Sequence, residues 1–343
     1  MKKQILRAVL LLGTVISLFY VPWPLVRAWT LPLPETVQQQ TEEALDHGFE
    51  GIIVYVDEAG KSPEFFTAGW HDRYKKIPAK PDALFKIASI SKLYTAVAIT
   101  KLVKEGRLSL DQTLADHFPE LAGKIENAKK ITLRMMVRHR SGIPNYTDTH
   151  HYWEAPKDTN KEKLELVLGL PANFVPDTDY EYSNTNYLLL AEIMDKVLGY
   201  GHHRYIKENI LKPLGLNNTF ASLKEVDLDK VMSGYHVGYH ADLKTDKHGM
   251  LATAEDVGKF IRALNDGSVF REGEREIYSS IYAFEHTGLV PGYQSIAKYH
   301  KDLDTVVIQF TNTTYFEGYH WNLSEIVYRR IVKILRSRNN SKV

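Results

Sequence analysis

The 343-residue chain reads as an α/β protein of the α+β type: an antiparallel sheet built from both chain ends, flanked by helices, with a mainly helical lobe inserted between them. Three observations predict this. Runs rich in β-branched and aromatic residues lie early, at 51–57 and 64–68. Similar runs return late, at 278–285, 293–300 and 305–312. Between them, from about 107 to 230, the texture changes to short apolar segments cut by Pro, Gly and Asp. Strands at both ends with helices between make one sheet only if the ends meet.

Taken in order, the chain opens with Lys2, Lys3 and Arg7 ahead of an uncharged stretch, 8–26. This is the pattern of an export element, and lysines placed first imply a body on the outer face of a membrane. The residues leave two forms open for 1–28. Fourteen strongly apolar positions and the small residues of Val26-Arg27-Ala28 suit a cleaved signal peptide, whereas nineteen uncharged positions suit a retained anchor that engages the membrane. A single domain is expected over 29–343.

Within it, 35–47 reads as an amphipathic helix stopped by Gly48, and 51–57 with 64–68 as a hairpin across a Glu-Ala-Gly-Lys turn. A core helix of about five turns begins near Ser89 and stops at Gly106. Short helices follow, including 131–139 with Thr132 as its cap, then 187–198 and 203–211. Another helix runs over 254–264 behind Thr253, and a last one over 321–335. The tail, 336–342, is a solvated basic end.

Composition excludes several functions. At 44% hydrophobic and 25% charged the chain can bury a full core and is not disordered. A net charge of +1, with no basic patch interleaved with aromatics, offers nucleic acid no field. With no cysteine there is no disulfide frame, thiol nucleophile or Cys-bound zinc. The pairs His150/His151 and His202/His203 read as surface residues, and no metal is assigned to them or to His236/His240.

The chemistry gathers around one charge. Residues 87–100 are apolar or small except for Lys92. A lysine on a core helix is short of water, which favours the free amine. Ser89, three residues earlier, shares its helical face. A serine beside a proton acceptor at a helix start has what a nucleophile needs. The bland alternative is an N-cap serine with a snorkelling lysine. Ser295-x-x-Lys298 has the same spacing but lies in an expected strand, where positions three apart face opposite ways. Two further polar clusters stand where a cleft would have walls: Tyr182-Ser-Asn184, in an expected loop, and His286-Thr287-Gly288, after the expected strand 278–285. His236-Val-Gly238 also fits H-x-G but lacks the Pro291-Gly-Tyr293 and strand that follow His286.

In this order S-x-x-K, Y-x-N and H-T-G resemble the motifs of the serine β-lactamase and penicillin-binding-protein family. The likeness runs from about Gly51 to Asn312. It includes Phe85-Lys-Ile-Ala-Ser-Ile-Ser-Lys92, Glu105-Gly-Arg-Leu-Ser-Leu-Asp111, Arg138-His-Arg-Ser-Gly-Ile-Pro144, Pro213-Leu-Gly-Leu216 and Leu251-Ala-Thr-Ala-Glu-Asp256.

The resemblance implies a β-lactamase/transpeptidase-like fold and a cofactor-free serine hydrolase working through an acyl-enzyme on Ser89. Its proton would pass to Lys92 or to a Tyr182 phenolate, a choice the residues leave open, with Lys92 and His286 as candidate cations beside Tyr182. Asn184, His286, Thr287 and Gly288 would hold the substrate. The amides of Ser89 and Leu289 would form the oxyanion hole. Among family activities, D-alanyl-D-alanine carboxypeptidase fits the H-T-G best, with D-aminopeptidases and esterases alongside. A dedicated β-lactamase fits less well, since the third motif lacks lysine. The expected partner is a small-molecule or peptide substrate, peptidoglycan included, in an extracytoplasmic location. A binding or sensing module that keeps the pocket without turnover is the alternative from another class. Only 35 residues, 251–285, separate Met250 from His286, so an open pocket rim is expected.

Overall fold

The computed structural model describes residues 2–245 and 249–340. Ser341 and Lys342, the end of the expected tail, lie outside the described residues. The early apolar runs form strands β1 (Gly51–Glu58) and β2 (Glu64–Asp72), antiparallel with Gly51 opposite Gly69 and Val56 opposite Glu64. A register shift between Trp70 and Asp72 leads to the short β3 (Ile77–Pro78). The late runs supply β4 (His286–Val290), β5 (Tyr293–His300) and β6 (Thr305–Thr311). The sheet order is β3-β2-β1-β6-β5-β4, so first and last strands pair at its centre, Ile52 opposite Thr311 and Glu58 opposite Thr305. The expected sheet from both chain ends is therefore formed.

Successive side chains of a strand point to opposite faces, and both faces of β1 are covered. Ile53 and Tyr55 join one core with Tyr94, Val257, Phe260, Val306 and Ile308. Ile52, Val54 and Val56 join a second with Val307, Val327, Ile331 and Leu335. Each such side chain removed from water contributes about 1.5–3 kcal/mol before entropy is counted.

Helices α1 (Lys2–Phe19) and α2 (Trp23–Thr30) precede α3 (Val37–Glu43), which Thr36 and Gln39 cap reciprocally. One further turn, Ala44–His47, ends at the left-handed Gly48. The core helix is α4 (Ser91–Lys104), with Gly106 at φ +70° beyond its end. Then come α5 (Asn184–Leu198), α6 (Ala254–Asp266), α7 (Glu274–Ser279) and α8 (His320–Asn340). Thr253 caps α6 and Thr132 caps the helix Leu133–Val137, as their positions predict.

Two expectations need correction. Residues 278–285 are not a strand: Tyr278 and Ser279 close α7, turns follow, and the strand starts at His286. Aromatics there serve packing instead, since Tyr278 meets Phe270 at a tilt and Phe284 edge to face, and its hydroxyl donates to Ala283 O at 2.5 Å. Tertiary contacts override β-propensity, which mostly measures packing anyway. Asn184 is not in a loop, because it opens α5. The stretch Val26-Arg27-Ala28 is helical, with Ala28 fully buried.

Candidate active site

Ile87 ends an irregular link from the short strand Phe85–Lys86, and Ala88 takes a left-handed φ of +48°. A non-glycine residue held there costs about 1–3 kcal/mol, and such strain persists only where the surroundings fix it. It turns the chain through Ala88–Ile90 into α4 and leaves Ser89 partly accessible. Around α4, Leu93, Tyr94, Ala96, Val97 and Ile99 are wholly buried, which places Lys92 in the same dry environment, 7% exposed.

Lys92 Nζ lies 3.1 Å from Ser89 Oγ and 2.8 Å from Asn184 Oδ1. Burial pulls the amine down to about 7, so a large share is unprotonated at neutral pH. The Tyr182 hydroxyl donates to Ser89 Oγ at 2.7 Å. Burial pushes this phenol up to about 12, against a smaller pull from the Ser89 hydrogen bond. Of the two groups beside the serine, the Lys92 amine is the readier proton acceptor at neutral pH, whereas Tyr182 stays a neutral phenol that donates to Ser89 Oγ.

Asn184 is held in one orientation. Its backbone N–H donates to Asn145 Oδ1 at 2.9 Å, and its Nδ2 donates to Thr147 Oγ1 at 3.1 Å, which leaves Oδ1 facing Lys92. The Tyr182 ring stacks on His139, centroids 4.4 Å apart, while His139 Nδ1 accepts from Ser183 N–H at 3.1 Å. Sequence reasoning missed Asn145, Thr147 and His139 as parts of this site. His139 reads as the end of the helix 131–139 and as part of the block Arg138–Pro144, Asn145 and Thr147 lie just beyond that block, and no spacing rule links any of them to the Tyr182–Asn184 segment.

The third motif forms the sheet's edge strand. Gly288 pairs with Ser295 in β5, and only glycine fits: a Cβ there would lie 2.3 Å from Ser295 Oγ and 2.4 Å from Ile87 O. This contact presses β4 against the turn carrying Ser89. The two-residue Pro291-Gly292 turn pairs Val290 with Tyr293, so ladder bonds alternate from there and the backbone groups of Thr287 and Leu289 point off the edge. Leu289 is 37% exposed at that edge.

His286 is not the cation expected of it. The carbonyl of Thr287 can only accept, so the 2.5 Å contact puts a proton on Nδ1, and Nε2 accepts from the Tyr282 hydroxyl at 2.9 Å. Burial lowers this imidazole to about 4, so it is neutral beside Tyr182.

A cleft of about 390 Å³ opens beside Tyr182, lined by His139, Tyr180, Tyr282 and His286 among others though not by Ser89 or Lys92. A cavity of about 580 Å³ elsewhere, near Phe65, His71 and Lys80, touches none of Ser89, Lys92 or Tyr182. The decoy lysine, Lys298, pairs with Glu285 at 2.9 Å. His236 sits in a two-residue strand beside Thr314. His151 meets Glu154 and His202 meets Asp195, both in pairs, and among the described residues no group of three metal-binding side chains forms.

Fold and residue arrangement together point to one family of known proteins. The Beta-lactamase family model matches residues 35–281, and the chain belongs to that family. Protein flp of Staphylococcus aureus is 29% identical over 188 residues, 53% of this chain and 38% of that protein. A penicillin-binding protein of Bacillus subtilis is 28% identical over 206 residues, 59% of this chain and 44% of its own length. The chain thus spans less than half of these curated relatives. The D-amino acid amidase of Ochrobactrum anthropi SV3, in complex with L-phenylalanine amide, has the same fold, with a TM-score of 0.77 at 20% identity over 88% of this chain and 98% of that one.

Proposed function

We propose that this chain is an active serine hydrolase that forms an acyl-enzyme on Ser89, with D-Ala-type peptides or related amides and esters as substrates. The observation that carries the reading is the buried Lys92 amine, 3.1 Å from Ser89 Oγ and 2.8 Å from Asn184 Oδ1. In the acylation step Ser89 Oγ bonds to the substrate carbonyl carbon as its proton passes to the Lys92 lone pair. The carbonyl oxygen gains the charge and is met by the amides of Ser89 and Leu289. When the intermediate collapses, the bond to the leaving amine or alkoxide breaks. That group takes back a proton from Lys92 through the Tyr182 hydroxyl, and water then repeats the sequence on the ester. Asn184 orients the amine, while His286, Thr287 and Gly288 form the wall on which the acyl group lies.

D-alanyl-D-alanine carboxypeptidase is the finer reading within this class. The similarity to a penicillin-binding protein and to a D-amino acid amidase supports an acyl donor of D configuration. The lysine-led N-terminus supports work outside the cytoplasm, on peptidoglycan fragments. The test is intact-mass detection of adducts with a penicillin, a cephalosporin, a D-Ala-D-Ala peptide, a short ester and a fluorophosphonate. A mass increase in the wild type that vanishes in Ser89→Ala supports the reading. Adducts that survive that substitution remove Ser89 as nucleophile, and bound peptide without any adduct or hydrolysis makes the chain a binding module.

A further inference from the structure

We propose that residues 2–30 stay on the mature protein as a membrane-docking unit, with α1 inserted in a lipid bilayer and α2 lying at its surface, clamped to the hydrolase body by Arg330. The clamp is the first ground. Arg330, on α8 and 7% exposed, donates to Leu31 O at 2.8 Å, Pro32 O at 2.7 Å and Gln40 Oε1 at 2.5 Å, and meets Glu43 Oε2 at 3.3 Å. These partners lie just past α2 and on α3, and within α2 the guanidinium reaches Ala28 O at 3.5 Å, so Arg330 fastens the chain where α2 leads into the body. The second ground is packing. Ala28 is fully buried in one core with Val37, Val54, Val327 and Tyr328, and Leu25 packs against it. Removal of residues 1–28 would cut α2 between its turns and take both side chains out of that core, so α2 is part of the folded body.

What faces outward sets the partner. Residues 2–30 contain no acidic side chain, and their cations stand at Lys2, Lys3, Arg7 and Arg27. On α1, Leu10, Leu11 and Leu12 are 62%, 68% and 61% exposed. Trp23 and Trp29 are exposed on α2. Bare leucines, basic ends and tryptophans at the junction suit hydrocarbon, anionic headgroups and the interface between them. The 18 residues of α1 measure about 27 Å, short of the ~30 Å hydrocarbon thickness, so α1 enters the bilayer without crossing it alone. No single helix among the described residues is long and apolar enough to cross a membrane, but α1 and α2, bent by 80°, meet that test as a pair. The bend suits one helix inserted and the next lying flat.

The test uses the full chain expressed in bacteria. Membranes washed with high salt and alkaline carbonate are analysed by intact mass, and purified protein is floated with vesicles of phosphatidylcholine and phosphatidylglycerol at 3:1. Expected are a chain of 39.3 kDa that keeps residues 2–30, release only by detergent, and co-flotation. Leu11→Arg with Ile16→Arg should reduce vesicle-bound protein about tenfold or more, as a charge in hydrocarbon requires, while fluorophosphonate labelling of Ser89 is unchanged. A mature chain starting at Trp29, a full-length chain in the soluble fraction, or a dimer that ignores vesicles would each overturn the proposal. None of these outcomes touches the acyl-enzyme reading, which labelling reports separately.

Discussion

In Ser89-x-x-Lys92 the helical period puts both side chains on one face, 3.1 Å apart, with the lysine in the core. In Ser295-x-x-Lys298 the strand period separates them: Ser295 is buried, and Lys298 reaches Glu285 at the surface. The same four-residue motif therefore gives a hydrogen-bonded pair in one place and two unrelated side chains in the other. Chemistry is fixed by the backbone period and the dryness around it, not by the spacing. The strand serine also serves the helical one. Its Oγ donates to Ile87 O at 3.2 Å, next to Gly288, and so helps hold the edge strand against the nucleophile turn.

That contrast can be broken or sharpened by substitution. Ser89→Ala should remove turnover almost entirely, by on the order of 10⁶-fold in kcat, measured on an activated ester. Lys92→Met keeps the volume and removes the base, so a loss of roughly 10²–10⁴-fold in acylation rate is expected from stopped-flow labelling. In the wild type kcat/KM should rise with pH through about 7 and then level, because the amine, lowered by burial, gains its free form above that pH. Tyr182, held near 12, adds no limb below pH 10. Ser295→Ala should cost about 1 kcal/mol of stability in urea unfolding and a few-fold in kcat, since it loosens a support and not a reactant. Lys298→Ala should leave activity unchanged and stability within about 0.5 kcal/mol, because its partner sits at the surface. A Lys298→Ala loss as large as that of Lys92→Met would dissolve the distinction.

Much of this was legible in the residues. The central strands carry runs rich in β-branched residues, and the Lys92 helix shows itself as an apolar run with one misplaced charge. The failures have physical causes. Tyr278, Tyr282 and Phe284 have strand propensity, yet they are used to pack a helix end and a turn against Phe270 and His286. Local pattern could not reveal the support of Asn184 by Asn145 and Thr147, because it joins segments about forty residues apart and depends on the folded loop. The neutrality of His286 was hidden for the same reason, since it follows from burial in the folded site, which outweighs the opposing hydrogen bond to the Thr287 carbonyl.

The most direct test of the account is the titration of Lys92 itself, followed by NMR on protein carrying ¹³Cε-labelled lysine. One resonance, absent in Lys92→Met, should titrate with a midpoint near 7 while the chain stays folded. If every lysine instead titrates in the ordinary range near 10.4, Lys92 carries its proton at neutral pH and cannot be the base that activates Ser89.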